Sequence, residues 1–289
     1  MNIFFGLNKN KDLQFIKSNE IISFLLKNNC NVYVEEKYLL NLENTKCFTC
    51  DTKIDFAIIL GGDGTILSYA HYHFENDFPF FGINLGRVGC LTEANLDNYQ
   101  EKIMAILNKN FIIEERNTIT CQLIRANNII SEHVAFNEVS LQRGKLIKML
   151  LINMYVNNKN KTSFYADGVI IATSTGSSAY NMSSGGPLLL PTAKNYVITP
   201  ICPQVRTLTS LVVNDTDSIS IDIKETNERQ SYKENHPIIN IDGFYSLELE
   251  KDDIIKLFKT DKTLKLIKVN QEASLFEATF KVAMSNQNL

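Results

Sequence analysis

An apolar run at residues 54–60 ends in Gly61-Gly62-Asp63-Gly64-Thr65, and a helical pattern resumes at once. Glycines in a strand-to-helix turn let the backbone approach phosphate oxygens, while the first N–H groups of the helix point at the anion. Gly61, Gly62, Gly64 and Thr65 therefore read as a phosphate cradle. Asp63 is the odd member, because a carboxylate beside phosphates is unfavourable unless it handles a proton, a hydroxyl or a metal. A tight turn that needs glycines only for its shape is the competing reading. Two familiar nucleotide motifs fail: GxGxxG would need a glycine where Leu67 stands, and no Gly-Lys-Ser/Thr follows.

Other polar groups extend the list. Asn137 and Glu138 offer donor and acceptor groups suited to a ribose diol or an amide, or else form a satisfied polar pair at a strand end. Asp167 is a second carboxylate, able to accept from a ribose or amide, or simply a turn residue before Gly168. Thr175, Gly176, Ser177 and Ser178 are small enough for a ligand to lie against the backbone, and Tyr180 can stack on a ring. Cys47 and Cys50 have metal or redox spacing but no second pair, so no metal site is expected. His71, His73, His133 and His236 show neither HExxH spacing nor a nearby nucleophile.

The elements that must carry these groups fall into two textures. Strands at 2–7, 31–35, 54–60 and 80–83 alternate with helical faces at 13–27, 65–74 and a helix capped by Asp97 that reaches Asn108. That alternation argues for an α/β domain with a Rossmann-like parallel sheet, over residues 1–115. From 116 to 269 helix signals almost vanish and strand runs follow one another, with polar turns at 126–128 and 158–161, so an all-β domain is expected. A last helical stretch, about 273–284, is expected to return with 270–289 and pack on the first domain.

Composition narrows the function. Net charge is −3, from 29 basic and 32 acidic residues, which supplies no general field for nucleic acid or anionic lipid. Positive potential for a phosphorylated ligand must then be local. No apolar run approaches the roughly 20 residues of a membrane helix, and no signal peptide is read, so a cytoplasmic protein without membrane contact is expected.

GGDGT resembles the loop shared by NAD kinases, by diacylglycerol and sphingosine kinases and, in related form, by phosphofructokinases. Three further segments are similar to the NAD kinase family in particular. They are Gly82-Ile83-Asn84-Leu85-Gly86-Arg87-Val88-Gly89-Cys90-Leu91-Thr92, the pair Asn137-Glu138, and the stretch from Asp167-Gly168 through Tyr180 to Gly185-Gly186-Pro187. The resemblance implies NAD bound in a cleft between the domains, with Asp63 accepting the proton of the adenosine 2′-hydroxyl. It also implies dinucleotide contacts at Asp63, Gly64, Asn137, Glu138 and Asp167, and along Ser178, Ala179, Tyr180, Asn181, Met182 and Ser183. Lys148 and Tyr165 occupy variable contact positions. ATP as phosphoryl donor, Mg²⁺ or another divalent cation, and a homo-oligomer (dimer or tetramer) come with the family. Cys90 departs from the usual Phe, which removes an apolar wall near the adenine. A lipid kinase would need a basic or apolar membrane-facing segment, and a dinucleotide sensor would have no need of Asp63 as a base.

Overall fold

Strand and helix alternate from the start of the chain, as the apolar periodicity requires. The computed structural model describes residues 1–86, 89–145, 148–205, 207–224 and 236–269. It divides into two compact units, Met1–Glu115 with the chain from Leu264 onward, and Arg116–Thr263.

In the first unit the order is β1 (Asn2–Leu7), α1 (Ile16–Lys27), β2 (Asn31–Val34), β3 (Lys46–Cys47), β4 (Phe56–Leu60) and α2 (Asp63–His73). Then come β5 (Phe80–Asn84), β6 (Ala94–Asn95), α3 (Tyr99–Leu107) and β7 (Ile112–Arg116). The sheet runs β3-β2-β1-β4-β5 with parallel pairing throughout, because β4 and β5 are buried on both faces by apolar side chains. Leaving β1, the chain turns to β2 on one side and reaches β4 on the other. The C-terminal ends of β1 and β4, with Leu7 opposite Leu60, are thus a topological switch point, where open α/β sheets bind ligands.

Two boundaries differ from expectation for local reasons. α1 begins at Ile16 rather than residue 13, because Phe15 takes a left-handed φ of 56°. The buried Asp12 carboxylate then accepts from the N–H of Ser18 at 2.8 Å and of Lys17 at 3.3 Å, doing the work of a cap. Asp97 does not cap α3: Asn98 holds that position, and its Oδ1 accepts from the N–H of Asn95 instead.

The second unit contains β8 (Ile119–Arg125), β9 (Asn128–Ala135), β10 (Glu138–Gln142), β11 (Leu150–Val156), β12 (Asn160–Ala166) and β13 (Gly168–Thr173). After the four-residue helix α4 (Tyr180–Ser183) come β14 (Asn195–Ile201), β15 (Leu211–Asn214), β16 (Ile219–Lys224), β17 (Ile238–Ile241), β18 (Tyr245–Glu248) and β19 (Ile254–Lys259). They form two antiparallel sheets, β15-β14-β13-β10-β17-β18 and β12-β11-β16-β19-β8-β9. Inward side chains such as Val139, Ile171, Ile152, Ile221 and Leu257 make one core. The β8–β9 turn is a two-residue loop with both Ala126 and Asn127 at positive φ, which matches the right-handed strand twist.

The last described strand, β20 (Leu264–Lys268), corrects the boundary drawn from sequence at 269. It pairs in parallel with β5, so the second unit ends at Thr263. An isolated strand pattern shows that a strand exists but not which sheet accepts it. The expected helix at 273–284 lies outside the described residues.

Candidate nucleotide and phosphoryl-transfer site

The cradle sits at the switch point of the first unit. Gly61 N–H donates to the Ile83 carbonyl at 2.9 Å, and a Cβ on Gly61 would fall 2.4 Å from Thr65 Oγ1, so the tight turn needs glycine. Asp63 is the first residue of α2 and is half-buried. Its Oδ2 accepts from the N–H of Cys90 at 2.8 Å, and its Oδ1 from that of Leu91 at 3.1 Å. A Cβ on Gly89 would lie 2.2 Å from Asp63 Oδ1, so this close approach also needs glycine. The 82–92 motif thus meets the GGDGT motif through one oriented carboxylate; Arg87 and Val88 lie outside the described residues.

Beside the cradle is a pocket of about 540 Å³, lined by Asn8, Lys9, Lys11, Lys37, Tyr38, Tyr72, Gly62, Gly64 and Thr65 among others. Asn8 Nδ2 donates to Thr65 Oγ1 at 3.2 Å. The exposed Lys11 ammonium stands 3.9 Å from where a Cβ on Gly62 would be, which puts a cation over the start of α2. Lys37 pairs with Glu35 at 3.0 Å. Tyr69 spans the floor: its ring lies 2.7 Å from where a Cβ on Gly6 would be, and its hydroxyl accepts from Leu7 N–H at 3.1 Å. The lysines of the β1–α1 loop were not singled out from sequence. Their signal was position, a basic polar loop at the carboxyl end of the first strand.

In the second unit the apolar run at 129–141 is broken at Phe136 and Asn137, and the break is held by Asp242. Asp242 Oδ1 accepts from the N–H groups of Asn137 and Glu138, both at 2.8 Å, and Oδ2 from that of Phe136 at 2.7 Å. Glu138 Oε2 is buried with no hydrogen-bond partner among the described residues. Burial first, and the nearby Asp242 charge second, push the Glu138 carboxyl up to about 8. Asn137 O accepts from Thr173 N at 2.8 Å, and a Cβ on Gly176 would lie 2.1 Å from the same oxygen. The small-residue turn therefore packs directly on Asn137.

The remaining residues have distinct settings. Asp167 is paired with Arg143, whose Nε lies 3.3 Å from Oδ1. Ser178, Ala179, Tyr180 and Met182 are half-buried and Ser183 is exposed, with Tyr180 packed on Ile170, Ala172 and Val197. Asn181 is fully buried, its amide donates to Ser177 O and Pro187 O at 3.0 Å, and its Oδ1 accepts from Thr199, so its side chain ties the turn together. Tyr165 is 39% exposed and Lys148 is exposed. Among the described residues no three His, Cys, Asp or Glu come together as a metal cage.

A glycine cradle and an oriented carboxylate at a parallel-sheet switch point, in one chain with a small-residue turn on antiparallel sheets, define a nucleotide-dependent phosphotransferase. Residues 3–111 match the ATP-NAD kinase N-terminal domain and residues 136–269 the ATP-NAD kinase C-terminal domain. The NAD kinase of Thermoanaerobacter sp. (strain X514) is 35% identical over 268 residues, covering 91% of this chain and 92% of that one. That of Lachnoclostridium phytofermentans is 33% identical over 264 residues, covering 91% and 92%. The fold resembles yeast NADH kinase complexed with NADH, at a TM-score of 0.82 and 19% identity, covering 100% of this chain and 89% of that one. It also resembles an NAD kinase from Archaeoglobus fulgidus in complex with ATP, at 0.76 and 24%, covering 99% of each. The chain belongs to the ATP-NAD kinase family.

Proposed function

We propose that this protein transfers the γ-phosphoryl group of ATP to the adenosine 2′-hydroxyl of NAD, giving NADP and ADP. The observation that carries the reading is Asp63, held by two backbone N–H groups at the mouth of a glycine cradle. Two N–H bonds leave lone pairs on the carboxylate for a third partner, here the 2′-hydroxyl. As the bond from the 2′-oxygen to the γ-phosphorus forms and that to the ADP oxygen breaks, Asp63 takes the hydroxyl proton. The names of the relatives, and the NADH and ATP carried by the two structural neighbours, support these substrates.

The basic pocket is the proposed donor site. Cradle N–H groups and Lys11 would meet the triphosphate, while Tyr38 and Tyr72 offer rings for a base. Asn137, Glu138, Asp167 and the turn residues Ser178, Ala179, Tyr180, Met182 and Ser183 are the proposed NAD contacts, with Lys148 and Tyr165 beside them. Asn181 supports that turn from within. Mg²⁺ or another divalent cation is proposed to arrive on the triphosphate, held by phosphate oxygens and water. When bound, the cation neutralises phosphate charge. A homo-oligomer, dimer or tetramer, and a cytoplasmic location complete the proposal; among the described residues no helix is long and apolar enough to cross a membrane.

Incubation with NAD and ATP, followed by assay for NADP, tests the reading. NADP should form with Mg²⁺ or Mn²⁺ and cease in excess chelator. No NADP under any of these conditions would overturn it.

Lys11→Ala separates the donor pocket from the acceptor site. The lysine is exposed and on a loop, so the fold should be unaffected. Loss of one charge-assisted phosphate contact, worth about 1.5–3 kcal/mol, should raise the ATP KM by roughly tenfold to a hundredfold. The NAD KM should stay within about threefold. Steady-state kinetics with each substrate varied in turn checks both halves.

A further inference from the structure

The donor pocket follows one face of α2. Thr65, Ser68, Tyr69 and Tyr72 recur at helical spacing and all line it. From Thr65 at the cradle to Tyr72 the helix rises roughly 10 Å. A nucleotide with its phosphates at the cradle therefore has its sugar and base alongside the later turns. Next to those turns stands Glu35, the one carboxylate in the pocket wall among the described residues. It directly follows β2 (Asn31–Val34), and the parallel register of β1 with β2, continued past Phe4 and Tyr33, brings it beside Gly6.

Two contacts hold this carboxylate, and both fall on the same oxygen. The Tyr69 hydroxyl donates to Glu35 Oε2 at 3.1 Å, and Lys37 Nζ lies 3.0 Å from it. Tyr69 reaches Glu35 because Gly6 has no side chain, since a Cβ there would lie 2.7 Å from the phenol Cζ. The phenol is held in turn by accepting from Leu7 N–H at 3.1 Å. Burial first, and the Glu35 charge second, push the Tyr69 phenol well above its ordinary range, so it stays a donor. Lys37 offsets the carboxylate and stands 5.0 Å over the Tyr38 ring, so a negative group is tolerated in a pocket for an anionic ligand. Neither contact uses Oε1, and the Glu35 side chain is 25% exposed.

A carboxylate only accepts hydrogen bonds, so what it takes from a nucleotide must be a donor group. The triphosphate offers none, whereas the ribose beyond it carries two hydroxyls. An acidic side chain beyond the second strand of a parallel α/β sheet is well placed to take such hydroxyls. We propose that Glu35 is a specificity-determining residue of the donor pocket, accepting a ribose hydroxyl of the nucleoside triphosphate through Oε1, so that ribonucleotide donors are preferred to deoxyribonucleotides. The inference rests on the donor-pocket reading above and names the part of the donor that the pocket reads. Tyr69 and Gly6 act through Glu35, as positioning residues.

Steady-state kinetics with ATP, 2′-deoxy-ATP and 3′-deoxy-ATP as donors tests this. Wild type should prefer ATP to at least one of the deoxynucleotides by roughly tenfold to a hundredfold in kcat/KM, the loss expected for one hydrogen bond to a charged group. Glu35→Ala should bring that ratio close to one, because the hydroxyl then has no partner to lose. A wild-type ratio near one for both analogues would overturn the proposal. So would a preference that survives in Glu35→Ala while all donors weaken equally, which is what a merely structural role gives. Should Glu35→Ala not fold, Glu35→Gln keeps the shape and gives up the charge. It should lower the ratio severalfold, and an unchanged ratio there would equally overturn the proposal. Failure of the kinase reading looks different: no donor would then give NADP, while calorimetric titration of ATP and the two deoxynucleotides would still report whether Glu35 reads the ribose.

Discussion

Asp63→Asn should lower kcat for NADP formation by about 10²–10⁴ while the NAD Kd changes less than about threefold. Asn keeps the size of the side chain and one carbonyl oxygen, but it cannot accept the 2′-hydroxyl proton. The geometry refines the expected cost. In the wild type one carboxylate oxygen accepts from Cys90 N–H and the other from Leu91 N–H. Asn presents an amide NH₂ to one of those donors, so one N–H loses its partner, at about 1–3 kcal/mol of local stability. A drop in melting temperature alongside the drop in kcat is therefore expected and does not by itself argue against the base. The decisive quantity is the split between kcat and Kd, because a general base acts only in the transition state. Calorimetry with NAD beside an NADP-formation assay measures both. If kcat stayed near wild type, Asp63 would not be the base, and Asp167 or Glu138 would be the next candidates.

Much of this site was legible because it is local in sequence. The glycine loop follows a fully apolar strand, and a strand that is buried on both faces announces its own end. Asn137 and Glu138 stood out as a polar pair inside a strand-like run, and the break there is real. What could not be read were groups whose partners are far away in the chain. Asp242 reads as one more Asp-Gly turn until the three N–H groups it accepts are known. Lys11 reads as a solvated lysine until the parallel pairing of β1 with β4 brings its loop over Gly62. The same reason hid the sheet membership of β20, whose parallel partner β5 is distant in sequence. Within the segment that resembles a ligand-binding stretch, the side chain of Asn181 is buried and makes three hydrogen bonds inside the turn, which no local pattern announces.

Gly176→Ala should disable NAD binding without touching a catalytic group. A Cβ on Gly176 would sit 2.1 Å from the carbonyl oxygen of Asn137, 2.4 Å from its carbonyl carbon and 2.7 Å from its Cα. These are backbone atoms, so no rotamer change relieves the overlap. Nor is the Asn137 backbone free to retreat, since its N–H donates to Asp242 and its carbonyl accepts from Thr173. The Gly176 side is tethered as well, by Gly176 N–H to Thr173 Oγ1 at 3.0 Å and by Ser177 Oγ to the Ser174 carbonyl at 2.7 Å. One of two packed segments must therefore move by roughly an ångström, and overpacking of this kind costs about 1–3 kcal/mol of stability. The larger effect is on the ligand, because a displacement of that size in a binding constellation can cost about 10² in rate or affinity. The expected result is an NAD Kd raised by about tenfold to a hundredfold, with the ATP KM little changed because the donor pocket belongs to the first unit. Thermal unfolding and calorimetry on the purified variant measure the two effects separately. A variant that bound NAD as tightly as wild type would show that the packing of Gly176 on Asn137 does not set the geometry of the acceptor site.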